Sequence, residues 1–154
     1  MNDTIRLLGV MGLLLLATGA NAKPPEFLNS PDAQKTDLPF SEAVRLGDTV
    51  YLSGQIGRLP GTMTLVPGGI RAESKQTLEN IRATLVANGL SMDAIVKCTV
   101  MLADIGEWGA FNEVWRAFFH KPFPARSALG ANGLALGARV EVDCIAAAGD
   151  RASP

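Results

Sequence analysis

In FPARSALG, residues 123–130, Arg126 is the single charge among Pro124, Ala125, Ala128 and Leu129. A guanidinium stays cationic at any reachable pH, and burying it without a partner is costly. Its planar fork matches a carboxylate through two parallel hydrogen bonds. The partner is then either the carboxylate of a small ligand or an acidic side chain across a subunit interface. Glu141, in RVEVDC, has Arg139 and Asp143 two strand positions away, so simple pairing on a polar face is its plainest role. His120 is the only histidine and lies in a proline-flanked loop, which suits a surface or hinge position. Cys98 and Cys144 lack CxxC spacing, and with a single histidine the chain has few ligands for zinc. They can bridge only if their strands are neighbours in register; buried free thiols are the expectation.

These groups sit in a chain of 154 residues, enough for one domain with a real core. The formal net charge of −1 gives no electrostatic case for nucleic acid or an anionic membrane. Residues 1–22 have the form of a signal peptide: Arg6, an apolar run from Leu7 to Ala17, and a small-x-small site at Ala20-Asn21-Ala22. The run is short for a membrane span. Cleavage after Ala22 would start the mature chain at Lys23 and place it in a periplasm or outside the cell, free of the membrane. Residues 23–38 are proline-rich and polar, a leader or linker. Residues 39–148 form the domain, and 149–154 a C-terminal tail.

Within the domain, Ala43–Arg45 and Thr49–Ser53 form a hairpin around Leu46-Gly47-Asp48. A loop carrying Pro60-Gly61 and Pro67-Gly68-Gly69 follows. Residues 71–88 are helical, with Leu78, Ile81, Leu85 and Val86 on one face and Glu73 largely elsewhere. Residues 94–102 form a strand whose alternating set is Val96, Cys98, Val100 and Leu102. Asp104 can cap a second helix over 107–119, striped by Trp108, Phe111, Trp115, Phe118 and Phe119 as a core face. A strand opens in KPFPARSALG, and ARVEVDCIAAA is the last strand, with Val140, Val142, Cys144 and Ala146 on one side. The order β-β-α-β-α-β-β predicts an α+β fold, a single sheet with both helices on one face. Arg126 and Glu141 are expected together on the opposite face, which further subunits would cover.

PFSEAVRLGDTVYLSGQIG, the run from Thr77 to Phe119, PFPARSALG and ARVEVDCIA together resemble the RidA/YjgF family of reactive-intermediate deaminases. The resemblance implies a chorismate mutase-like fold, a homotrimer, and sites in clefts between subunits. It implies hydrolysis of 2-imino acids, formed from unstable enamines, to 2-keto acids and ammonia, with neither metal nor cofactor. The family's carboxylate-binding arginine falls on Arg126 and its water-activating acid on Glu141. The backbone of Ser53 and Gly54 falls beside the ligand, and the helix asparagine near the site falls on Asn112. Two positions depart from the family pattern. Phe40 stands where a tyrosine is common, and Ala128 where a cysteine is frequent.

An iminium carbon is already electrophilic, so positioning plus modest base help from Glu141 suffices for water attack. Two other activities stay open alongside a deaminase. One is a non-catalytic binder of small carboxylic acids, which the missing phenol at Phe40 favours. The other is a ribonuclease or chaperone-like role, for which this chain offers little basic surface.

Overall fold

The computed structural model describes residues 23–35 and 38–149; the expected signal peptide and all of the tail but Gly149 lie outside these. Six strands form one sheet: β1 (Glu26–Leu28), β2 (Ala43–Leu46), β3 (Thr49–Ile56), β4 (Ile95–Leu102), β5 (Ala125–Gly130) and β6 (Val140–Ala147). Helices α1 (Pro31–Lys35), α2 (Gly69–Ala87) and α3 (Trp108–Phe118) connect them. The strand order is β1-β2-β3-β6-β4-β5. Only the β4–β5 pair is parallel, as the α3 crossover between them requires. From β2 onward the elements follow the order the sequence predicts. The proline-rich segment does more than link, because β1 pairs with β2 and extends the sheet edge.

The hairpin turns through Gly47 at φ 57°, a left-handed conformation that glycine adopts without a Cβ clash. α2 and α3 cover one face of the sheet. Leu78, Ile81 and Leu85 from α2 and Phe111 and Trp115 from α3 pack on Val50, Val100, Val140 and Val142. Trp108 and Val86 stand outside this core: Trp108 opens α3, Val86 is on the solvent side of α2, and each is about half exposed or more (48% and 61%). On β4 the pairing with β6 shifts between Ile95 and Lys97. That irregularity breaks the alternation, so Ile95 is buried and Val96 is exposed. Glu73, expected at the surface, is buried because its Oε2 accepts the Arg139 backbone N–H at 2.8 Å.

Cys98 and Cys144 are disulfide-bonded, not free thiols. β4 and β6 are antiparallel neighbours with these two residues directly opposite, Cα to Cα 4.1 Å. Alternation alone could place each cysteine on the core side but could not say which strands would be neighbours. The bond joins residues 46 positions apart, which stabilises the fold by about 4 kcal/mol on a loop-closure estimate. It ties together the two strands that carry the site's neighbours, since β4 also holds β5.

Candidate functional site

The residues singled out by sequence form two groups. The first is at β5 and α3. Arg126 Nη2 donates to Asn112 Oδ1 at 2.7 Å, and the guanidinium carbon lies 4.8 Å from the Trp115 ring centre and 5.5 Å from that of Phe111. The rings of the core stripe thus serve a second purpose, as the bed of a cation. Their signal in the sequence was present but ambiguous: Phe111 and Trp115 flank Asn112 at one and three positions. Arg126 Nη1 is buried and has no acceptor among the described residues. Burial, and then the charge of Arg116, pull the Arg126 guanidinium below its ordinary pKa; it remains cationic at neutral pH. Ala128 lies two residues on, on the same side of β5, where its small side chain leaves room beside the fork.

The second group is at β3 and β6. The β3–β6 register shifts between Leu52 and Gln55, so Ser53 and Gly54 form a bulge. Bulges re-aim a strand at functional sites. Here the bulge brings Gly54 against Glu141 so closely that an added Cβ would overlap the Glu141 carboxylate. Ser53 is occupied: its N–H donates to Glu42 O at 3.0 Å and its hydroxyl to Ser41 O at 2.6 Å. It holds the chain leading from Phe40 and does not itself line the cleft beside Glu141. Phe40, Gly54 and Glu141 share a cleft of about 260 Å³ with Leu38, Met63 and Leu136. A larger space of about 410 Å³ between α2 and Asn29–Pro31 holds none of the predicted site residues.

Glu141 makes no ion pair among the described residues. Arg139, its expected neighbour in charge, instead forms a forked pair with Glu107, Nε lying 3.0 and 2.9 Å from the two carboxylate oxygens. Simple pairing is therefore not what Glu141 is for. Burial first, and the neighbouring Asp143 second, raise its pKa above the ordinary carboxylate value. Glu73 and Gly57 were missed by sequence reasoning. Glu73 pins the start of β6, and the absent Cβ of Gly57 lets the end of β3 approach the α2 backbone at Glu73.

One expectation is corrected. Arg126 and Glu141 do not share a face. Glu141 alternates with buried Val140 and Val142 and so lies on the open face, whereas Arg126 reaches toward α3. β4 separates their strands, which puts β5 about 10 Å from β6. Arg126 is also level with Cys98 and Cys144, while Glu141 is level with Met101, about 10 Å further along the sheet. A small ligand cannot touch both groups within one chain.

The Gly54 contact generates a test. In Gly54→Ala the new methyl meets only the end of a flexible carboxylate, so the fold should survive while Glu141 is displaced. Thermal stability should fall little, and any turnover that depends on Glu141 should fall at least tenfold. Gly57→Ala meets backbone atoms of Glu73 instead and should cost stability, about 1–3 kcal/mol in denaturant titration. Equal losses of stability in the two variants would contradict the assigned contacts.

A profile described as Endoribonuclease L-PSP matches residues 30–148. A goat (Capra hircus) protein named 2-iminobutanoate/2-iminopropanoate deaminase is 45% identical over 111 residues, 72% of this chain and 81% of the goat protein. The crystal structure of RidA from an Antarctic Psychrobacter superposes with a TM-score of 0.69 at 40% identity, covering 72% of this chain and 89% of that one. Escherichia coli TdcF, solved with bound serine, gives 0.67 at 31% identity over 79% of this chain and 92% of that one. The bulge at Ser53-Gly54, the Arg126–Asn112 pair and these likenesses agree: the chain belongs to the Endoribonuclease L-PSP family, the RidA/YjgF group that its own motifs resemble.

Proposed function

We propose that this chain is an imine deaminase, hydrolysing 2-imino acids to 2-keto acids and ammonia in clefts between the subunits of a homotrimer. The observation that carries the reading is Arg126: a cation backed by two rings, one nitrogen held by Asn112 and the other buried without an acceptor. Such a group has bonding capacity left for a carboxylate. Relatives at 40–45% identity named 2-iminobutanoate/2-iminopropanoate deaminases support the reaction class. Two half-sites on opposite faces support an assembly in which Arg126 of one subunit completes the Glu141 cleft of another.

In this arrangement Arg126 holds the substrate carboxylate and leaves C2 of the iminium facing Glu141. Water adds to C2 as the C=N π pair moves to nitrogen, and Glu141 takes the released proton. Glu141 then returns that proton to the amine. The C–N bond breaks with its pair going to nitrogen, which leaves as ammonia; the hydroxyl oxygen then gives its proton to Glu141 to form the ketone, and ammonia takes that proton from Glu141 as ammonium. Iminium and water are balanced by keto acid and ammonium. A raised pKa suits a carboxyl that must both accept and release a proton near neutral pH.

A second reading, a binder of small carboxylic acids without turnover, draws on Phe40, which carries no phenolic hydroxyl, and on the relative solved with bound serine. A ribonuclease role is disfavoured because the cleft is no basic groove: Glu42 and Glu141 line it against the single cation Arg58. Export after cleavage at Ala22 is part of the same proposal. The apolar run of residues 7–17 and a core disulfide, which an oxidising compartment maintains, both support it. Mass spectrometry of protein secreted by a bacterial host should find Lys23 at the N-terminus; soluble cytosolic protein with Met1 intact would contradict it.

The deaminase reading is tested with imines generated by an amino-acid oxidase. The purified protein should accelerate ammonia release. Arg126→Lys keeps the charge but loses the fork, and should lower kcat/KM by about ten- to hundredfold. Because Glu141 acts as a carboxylate with a raised pKa, activity should fall as pH drops through a midpoint above the usual carboxylate range, and Glu141→Gln should remove that limb. Keto-acid binding without accelerated ammonia release would establish the binder instead.

A further inference from the structure

Leu136 is the only non-glycine residue at positive φ among the described residues, at φ 58° and ψ 12°. A side chain with a Cβ disfavours this left-handed conformation, and residues held there cluster at functional sites. Gly137 follows at φ 74°, so the chain makes two left-handed steps as it enters β6. The result places Leu136 in the wall of the Glu141 cleft, with Phe40 and Met63. All three are about half exposed, at 49%, 55% and 53%. Large apolar side chains left open around an acid are unusual unless something covers them. At about 260 Å³ the cleft is of metabolite size, near the lower end for ligand sites.

We propose that Leu136 is a specificity-determining residue: with Phe40 and Met63 it forms an apolar seat for the side chain of the substrate, selecting 2-imino acids with aliphatic side chains of about four carbons over the three-carbon imine. The inference rests on the deaminase reading and extends it. Arg126 fixes the carboxylate and Glu141 the reacting carbon. What distinguishes one imino acid from another is then the group beyond C2. Arg58 also lines the cleft, but its Nη1 donates to Thr62 O at 3.0 Å and lies 3.7 Å from Met63 Sδ. A three-carbon imine leaves the seat wet. Filling the seat with the longer side chain is worth roughly tenfold or more in kcat/KM.

The test compares imines made by an oxidase from leucine and from alanine, in the parent, Leu136→Asn and Leu136→Met. Asparagine tolerates the left-handed region, so the backbone turn survives while the wall becomes polar. Methionine keeps the wall apolar. The parent should favour the six-carbon imine by about tenfold or more; Leu136→Asn should lose at least most of that preference, and Leu136→Met should retain it. A ratio in Leu136→Asn equal to the parent's, or an equal loss in Leu136→Met, would overturn the assignment. Affinities for 4-methyl-2-oxopentanoate and pyruvate are measured on the same proteins. Should the parent turn over no imine, the deaminase reading fails by itself, and the Leu136 seat still stands or falls on those affinities. A preference for the longer keto acid that Leu136→Asn abolishes supports the seat. An undiminished preference, or no keto-acid binding at all, removes it.

Discussion

One sheet carries the Arg126 guanidinium and the Glu141 carboxyl on opposite faces, and every functional statement about this protein follows from that separation. The two groups differ by about 10 Å across the strands and about as much along them. Opposite charges of this strength would attract if they met in one chain, and a dry ion pair would leave neither free for a ligand. The fold keeps them apart. Each instead keeps part of its bonding capacity unused: one enclosed guanidinium nitrogen at Arg126, the whole carboxyl at Glu141.

The two half-sites are held by different means. Arg126 depends on packing, since the rings beneath it belong to the core and cannot move without disturbing it. Glu141 depends on backbone geometry. Glu73 anchors the first residues of β6, the disulfide joins β6 to β4, and the bulge at Ser53-Gly54 provides the surface against which the carboxyl rests. A rigid frame of this kind suits a reaction whose electrophile is already activated, because most of the remaining barrier is one of placement.

Much of this was legible in the sequence, and the limits have physical causes. Periodicity located β3, β4, β6 and both long helices because each has one face in the core, while turn and proline signals marked β2 and β5. It could not find the sheet-edge strand β1, whose three residues Glu26, Phe27 and Leu28 are mostly exposed and show no pattern. Alternation put Cys98 and Cys144 on the core side but gave no information on strand order, which is what pairs them. Arg126 was recognised as needing a partner, yet its face was misassigned. An edge strand with small residues carries too weak an alternation to tell its two sides apart. Leu136 had no signal at all, because nothing in ALGAR marks a leucine at positive φ. The family motifs named Asn112 and Gly54, whereas the contacts that explain them emerge only from the packed structure.

The central claim is that a working site needs Arg126 from one subunit and Glu141 from another. Mixing Arg126→Ala and Glu141→Gln chains, each expected to keep only a small residual activity alone, tests it directly after joint unfolding and refolding. In random trimers about one interface in four unites an intact Arg126 with an intact Glu141, so the mixture should recover about a quarter of the parent activity. A mixture as inactive as its components, with trimers and subunit exchange verified, would contradict the account.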